Sequence, residues 1–124
     1  MPTTTHWFAI ALGGALGAVL RQWFTLQSAR MGVAPFLGTL VVNVIGCLVI
    51  GWLLAWSERT GALSTASRHL WVVGALGAFT TYSTFAVDAF ELVRSGRPWF
   101  ALLNVVLHLV LGGAALLLGR AAAA

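Results

Sequence analysis

The chain has 124 residues, 60% hydrophobic and only 8% charged, with a formal net charge of +4 and a mean hydropathy of +0.93. Soluble domains carry roughly a quarter charged residues, so this composition reads as a membrane protein. All seven basic residues are arginines set singly at the ends of apolar runs, which excludes the basic stripe of a nucleic-acid binder. The acids are Glu58, Asp88 and Glu91. Cys47 is the single cysteine, which excludes an intrachain disulfide or thiolate metal cluster and leaves it as a packing residue. Without a Pro/Ser-rich linker or charge run, residues 1–124 are expected to form one domain.

A helix needs about 20 mainly apolar residues to cross a hydrocarbon core about 30 Å thick. The first stretch of that length runs from Trp7 to Phe24. Its small residues resemble a signal-peptide cleavage site, but Met1 to His6 carry no Lys or Arg, so it is expected to remain as a mature helix. Gly13 and Gly17 form a small-xxx-small pair whose expected role is close helix approach. Arg21 stands near the end of this span. After Arg30 and Pro35, the second span runs from Phe36 to Trp56 and contains Asn43 about a third of the way along.

Ser57 to Arg68 lead to the third span, Leu70 to Leu92. Its run from Gly74 to Phe85 places two glycines, four hydroxyl residues and three aromatics at mid-membrane depth, where helix propensity is poor. The run predicts a discontinuous helix marking a functional centre, because irregular backbone in a bilayer is tolerated only when buried in protein or lining a wet cavity. The bland alternative is that the Ser and Thr hydroxyls bond back to their own helix. Arg94 to Pro98 precede the fourth span, Trp99 to Leu118, in which Asn104, His108 and Gly112 share one face. Taken singly, Asn43, Asn104 and His108 could each simply join neighbouring helices by one hydrogen bond. Pro35 and Pro98 are expected just before their helices, and Trp7, Trp23, Trp56, Trp71 and Trp99 fall near span ends, as interfacial rings do.

With four spans, Arg59, Arg68 and Arg120 fall on one side of the membrane and Arg21, Arg30, Arg94 and Arg97 on the other. Orientation follows the side richer in Lys and Arg, so three against four gives no strong direction. The simplest consequence is insertion both ways up and antiparallel pairing.

Three runs, Gly13-Gly14-Ala-Leu-Gly17-Ala-Val-Leu-Arg21, Gly38-Thr-Leu-Val-Val-Asn43-Val-Ile-Gly46 and Gly77-Ala-Phe-Thr80-Thr-Tyr-Ser-Thr-Phe85, resemble in order and spacing the Fluc (CrcB) family of fluoride channels. The resemblance implies an all-α membrane protein of four transmembrane helices with a broken third helix, in the bacterial inner membrane. It further implies a dual-topology antiparallel homodimer with two passive pores that select fluoride over chloride and relieve fluoride toxicity. A structural sodium ion at the dimer centre, held by backbone carbonyls, would map to Gly77 and Thr80. Two third-helix phenylalanines whose ring edges meet the anion correspond to Tyr82 and Phe85, since an aromatic ring is positive at its edge. Asn43 would offer amide N–H donors, Thr81, Ser83 or Thr84 hydroxyls would continue the path, and Arg21 would concentrate anions near a vestibule. Asn104 and His108 would carry the path along the fourth helix. Tyr82 replaces a phenylalanine and His108 a frequent serine, and a protonated His108 would add a donor to the path.

A rival reading is a small dual-topology proton-coupled multidrug exporter, which depends on a carboxylate embedded in the first helix; here that span has no Asp or Glu. Another is a non-transporting assembly subunit that buries the same polar groups for packing alone. No nucleophile, base and orienting group recur at usable spacing, so an enzyme is not expected.

Overall fold

The computed structural model describes residues 4–123 and is entirely helical. Four helical stretches are long and apolar enough to cross a membrane: Thr4–Arg30, Pro35–Thr60, Thr65–Arg94 and Pro98–Ala122. Each outruns its sequence-based bounds, because backbone hydrogen bonding continues through the interfacial residues after the apolar run has ended. Pro35 and Pro98 are corrected by one position: each is the first helical residue, where a fixed φ helps and the missing N–H has no acceptor to lose.

The first span is α1 (Thr4–Arg30) and the second α2 (Pro35–Thr60), closed by Gly61 at φ 63°. That left-handed conformation costs glycine little, and its N–H satisfies the Ser57 carbonyl. The third span is composite. A single turn, α3 (Thr65–Arg68), is capped by the Ser64 hydroxyl and passes into a π-helical stretch, His69–Leu76. Three α-helical residues follow (α4, Gly77–Phe79), then two residues in extended backbone, then α5 (Tyr82–Arg94). The fourth span is α6 (Pro98–Ala122).

Glycines decide which helices touch. A Cβ on Gly13 would overlap the Leu70 carbonyl oxygen and one on Gly17 that of Ala75, so α1 and the first half of the third span meet backbone to backbone. From the other side, a Cβ on Gly74 would lie 2.7 Å from the Ile10 carbonyl oxygen. The pair read from sequence as a close-approach device acts as one. The α2–α6 contact uses the same device, Gly51 facing the Leu116 carbonyl and Gly119 that of Leu48. Without a hydrophobic drive between helices in lipid, such contacts supply the packing.

Little is buried inside one chain. A small cluster of Phe36, Leu92 and Ala101 joins α2, α5 and α6 near one end, whereas Phe8 and Leu109, each 72% exposed, point outward from α1 and α6. Outward apolar side chains suit a chain solvated by hydrocarbon.

Candidate functional site

The helix stops at Thr80 for a reason visible in its neighbours. Thr80 (φ −76°, ψ 156°) and Thr81 (φ −151°, ψ 114°) are extended, and Asn43 of α2 takes up the backbone groups that this frees. The Thr81 N–H donates to Asn43 Oδ1 at 2.8 Å, and Asn43 Nδ2 donates to the Thr81 carbonyl at 3.1 Å. One carboxamide thus closes both hydrogen bonds of a single residue, as a neighbouring strand would. It commits one of the two Asn43 N–H donors, leaving one for another acceptor.

The carbonyls of Gly77, Ala78, Phe79 and Thr80 lose their usual helical partners in consequence. In a continuous helix the Thr81 N–H would donate to Gly77 and the Thr84 N–H to Thr80. The first goes instead to Asn43, and the second to the Thr81 hydroxyl at 3.2 Å, which caps α5. The Gly77 and Thr80 carbonyls, to which the family resemblance maps the sodium ion, are therefore both released from the ladder. Neutral carbonyl oxygens are the donor type a hard cation accepts, so the residues present fit such an ion.

A cavity of about 440 Å3 lies beside this break. Asn43, Gly77, Thr80, Thr81, Tyr82, Phe85 and His108 all line it. The rings of Tyr82 and Phe85 are 5.5 Å apart, and Phe85 lies 4.5 Å from the His108 ring, tilted by 47°. The Thr80 hydroxyl bonds back to the Leu76 carbonyl at 3.0 Å, the bland role allowed for these residues.

Four other candidates lie outside the cavity lining. The Thr84 hydroxyl accepts from that of Thr81 at 3.0 Å, and exposed Ser83 lies 3.3 Å from the same oxygen. Arg21 is half-buried on α1 with an unpartnered, buried Nε. Asn104 is fully buried, yet neither end of its carboxamide has a hydrogen-bond partner within the chain. Such a group costs free energy unless something outside the chain meets it.

His108 connects the two sets. Its Nδ1 is 2.9 Å from the Asn104 carbonyl; a carbonyl only accepts, so Nδ1 carries the proton. In the neutral ring Nε2 therefore presents a lone pair, and it is buried without a partner. A neutral His108 offers an anion no donor from that nitrogen.

Sequence reasoning missed several participants. Cys47, Gly46, Ile50, Val72 and Leu76 also line the cavity, and their apolar character gave no signal beyond packing. Asp88, given no role by the sequence, is half-buried and accepts a 2.6 Å hydrogen bond from the buried Thr39 hydroxyl of α2. The π-helical stretch was not foreseen, because His69–Leu76 is apolar on nearly every side and shows no period to read.

Comparison with known proteins places this geometry in context. A family model described as "CrcB-like protein, Camphor Resistance (CrcB)" matches residues 8–120. A protein of Chloroflexus aurantiacus named fluoride-specific ion channel FluC is 43% identical over 106 residues, 85% of this chain and 83% of its own. A Psychrobacter arcticus protein of the same name is 44% identical over 104 residues, covering 83% and 84% of the two chains. A third, from Roseiflexus sp., is 41% identical over 116 residues, 93% of this chain and 94% of its own.

Proposed function

This chain belongs to the CrcB-like family, a non-enzymatic family of multi-pass membrane proteins, and from that premise we propose that it is a fluoride-selective channel. The observation that carries the reading is the Asn43 carboxamide bridging both backbone groups of Thr81 beside a cavity edged by Phe85, Tyr82 and His108. Fluoride is small and strongly hydrated, so a pore must replace lost water with donors while staying too narrow for larger halides. The second Asn43 N–H supplies one donor, and the positive edges of Phe85 and Tyr82 supply softer contacts. The Thr81, Ser83 and Thr84 hydroxyls lie next along α5, Arg21 raises anion concentration at one mouth, and the Asn104–His108 face continues the path.

The working unit in this reading is an antiparallel homodimer inserted both ways up, consistent with the near balance of arginines, three against four, and with outward apolar side chains on each span. We read the third span as one discontinuous helix whose released Gly77 and Thr80 carbonyls hold a sodium ion on the dimer axis. That ion supplies a fixed positive charge that joins the subunits and is not itself carried. Passive export of fluoride across the bacterial inner membrane would relieve its toxicity.

Efflux from liposomes tests the reading directly. Fluoride should leave vesicles containing the purified protein while chloride stays inside; equal retention of both ions would sink the channel assignment. Exchanging sodium for a larger cation should lower the flux, and undiminished flux after thorough exchange argues against the sodium site. Cysteines placed at each terminus should react from both sides of intact cells, and reaction from one side alone rules out dual topology.

A further inference from the structure

We propose that His6 and His69 together form a binding site for one divalent transition-metal ion of the zinc, nickel or copper type, at the membrane boundary where the first and third spans both begin. His6 lies in the first turn of α1 and His69 directly follows α3, so the two come from separate helices. Their rings face each other with centroids 4.6 Å apart and planes 28° from parallel. His69 is held in a defined state, since its Nδ1 lies 2.9 Å from the Thr65 carbonyl and must carry the proton. The neutral ring then presents its lone pair at Nε2. Metal-bound histidines are oriented in this way, one nitrogen donating to a carbonyl and the other bonding the ion.

Distance and ligand type narrow the ion. Two imidazoles at metal–nitrogen bonds of about 2.0–2.1 Å place their centroids about 4.5–5 Å apart. The pair already has that separation, so with His69 held by Thr65, binding calls for the His6 ring to turn out of its stack on His69. Each imidazole has two ring nitrogens, so a hydrogen bond at one of them leaves the other for the ion. Imidazole suits zinc, nickel and copper, while calcium and magnesium call for oxygen ligands. Among the described residues no group of three or more His, Cys, Asp or Glu side chains could hold a metal, so water must complete the shell. Arg68, the neighbour of His69, is exposed, and solvent and salt screen its charge. An ion here would tie the start of α1 to the third span beside the backbone contact between Gly13 and Leu70, which lies next to His69 and about two turns along α1 from His6.

The test needs no transport measurement, so its outcome is separate from that of the channel reading. Protein purified without a polyhistidine tag is titrated with nickel or zinc chloride, followed by calorimetry and thermal unfolding. One ion should bind per chain in the micromolar range, raising the unfolding midpoint by several degrees, because an ion that binds the folded state stabilises it. H6Q and H69Q should each weaken binding at least about tenfold without changing the size-exclusion profile. If H69Q does not fold, H6Q decides the matter alone. Bound copper should show magnetic coupling to two imidazole nitrogens. Equal binding by the original protein and the double variant, or coupling to a single nitrogen, overturns the proposal and leaves the rings as a stacking contact.

Discussion

The first half of the third span, His69 to Phe79, lies on α1 through bare backbone, with Gly13 and Gly17 facing the Leu70 and Ala75 carbonyls. The second half, Tyr82 to Arg94, is tied to α2 and α6 by side chains: Asp88 to Thr39, Phe85 beside His108, and Leu92 against Phe36 and Ala101. Two threonines in extended backbone separate the halves, and Asn43 holds them. Backbone contact tolerates no added atom. Side-chain contact leaves gaps, and the cavity lies among them. Within one span, close backbone packing falls mainly in the first half, while the rings that edge the cavity, Tyr82 and Phe85, belong to the second.

The severest way to break this division is Gly17→Leu. The added side chain would run into the Ala75 backbone, which cannot yield as a flexible side chain could. We expect destabilisation of at least about 3 kcal/mol, read as loss of monodisperse protein on extraction. A well-folded variant would mean that α1 can move away from the third span at little cost.

Asn43→Ala strikes the boundary between the halves. It removes two hydrogen bonds and leaves the Thr81 N–H unpartnered, a cost of about 1–3 kcal/mol. Fluoride efflux should fall to the leak of empty liposomes even in the fraction that remains folded. Normal efflux from Asn43→Ala would show that the clamp is dispensable and the pore lies elsewhere.

Phe85→Ile touches the second half, where the ring edges the cavity. The side chain is half-buried and the replacement remains apolar, so the stability change should stay near about 1 kcal/mol. Fluoride flux should nonetheless drop sharply, since an aliphatic group has no positive edge. If unfolding shifts strongly while flux persists, Phe85 is a packing residue.

The mildest change sharpens the comparison on α1 itself. Gly14 adjoins Gly13 in sequence, yet a Cβ there would meet nothing within 4 Å. Gly14→Ala should be neutral or stabilising by about 0.5–1 kcal/mol, the helix preference of alanine over glycine. Measurable destabilisation would show that a second copy of the chain covers this face.

Much of this was legible from the chain alone, for reasons that differ by element. The four spans follow from apolar runs of bilayer length, and their proline and glycine punctuation follows from local backbone chemistry. Gly13 and Gly17 announced close approach because a spacing of four keeps both on one face. Asn43 stood out because an amide in an apolar run needs a partner. Its partner did not, since nothing local links position 43 to position 81.

What the sequence by itself determined is therefore what depends on local pattern: helix number, approximate extent, and the polar and glycine positions available for contact or chemistry. Tertiary structure alone decided which of those polar groups meet. It gathered Asn43, Thr80, Thr81, Phe85 and His108 at one cavity, left Ser83, Thr84, Asn104 and Arg21 outside its lining, and brought His6 against His69. It also widened His69–Leu76 into a π-helix and turned the Thr81 and Thr84 N–H groups away from the helical ladder. The reason is physical: periodicity reports which face a residue occupies on its own helix, whereas rotation and depth are set by how two helix surfaces pack.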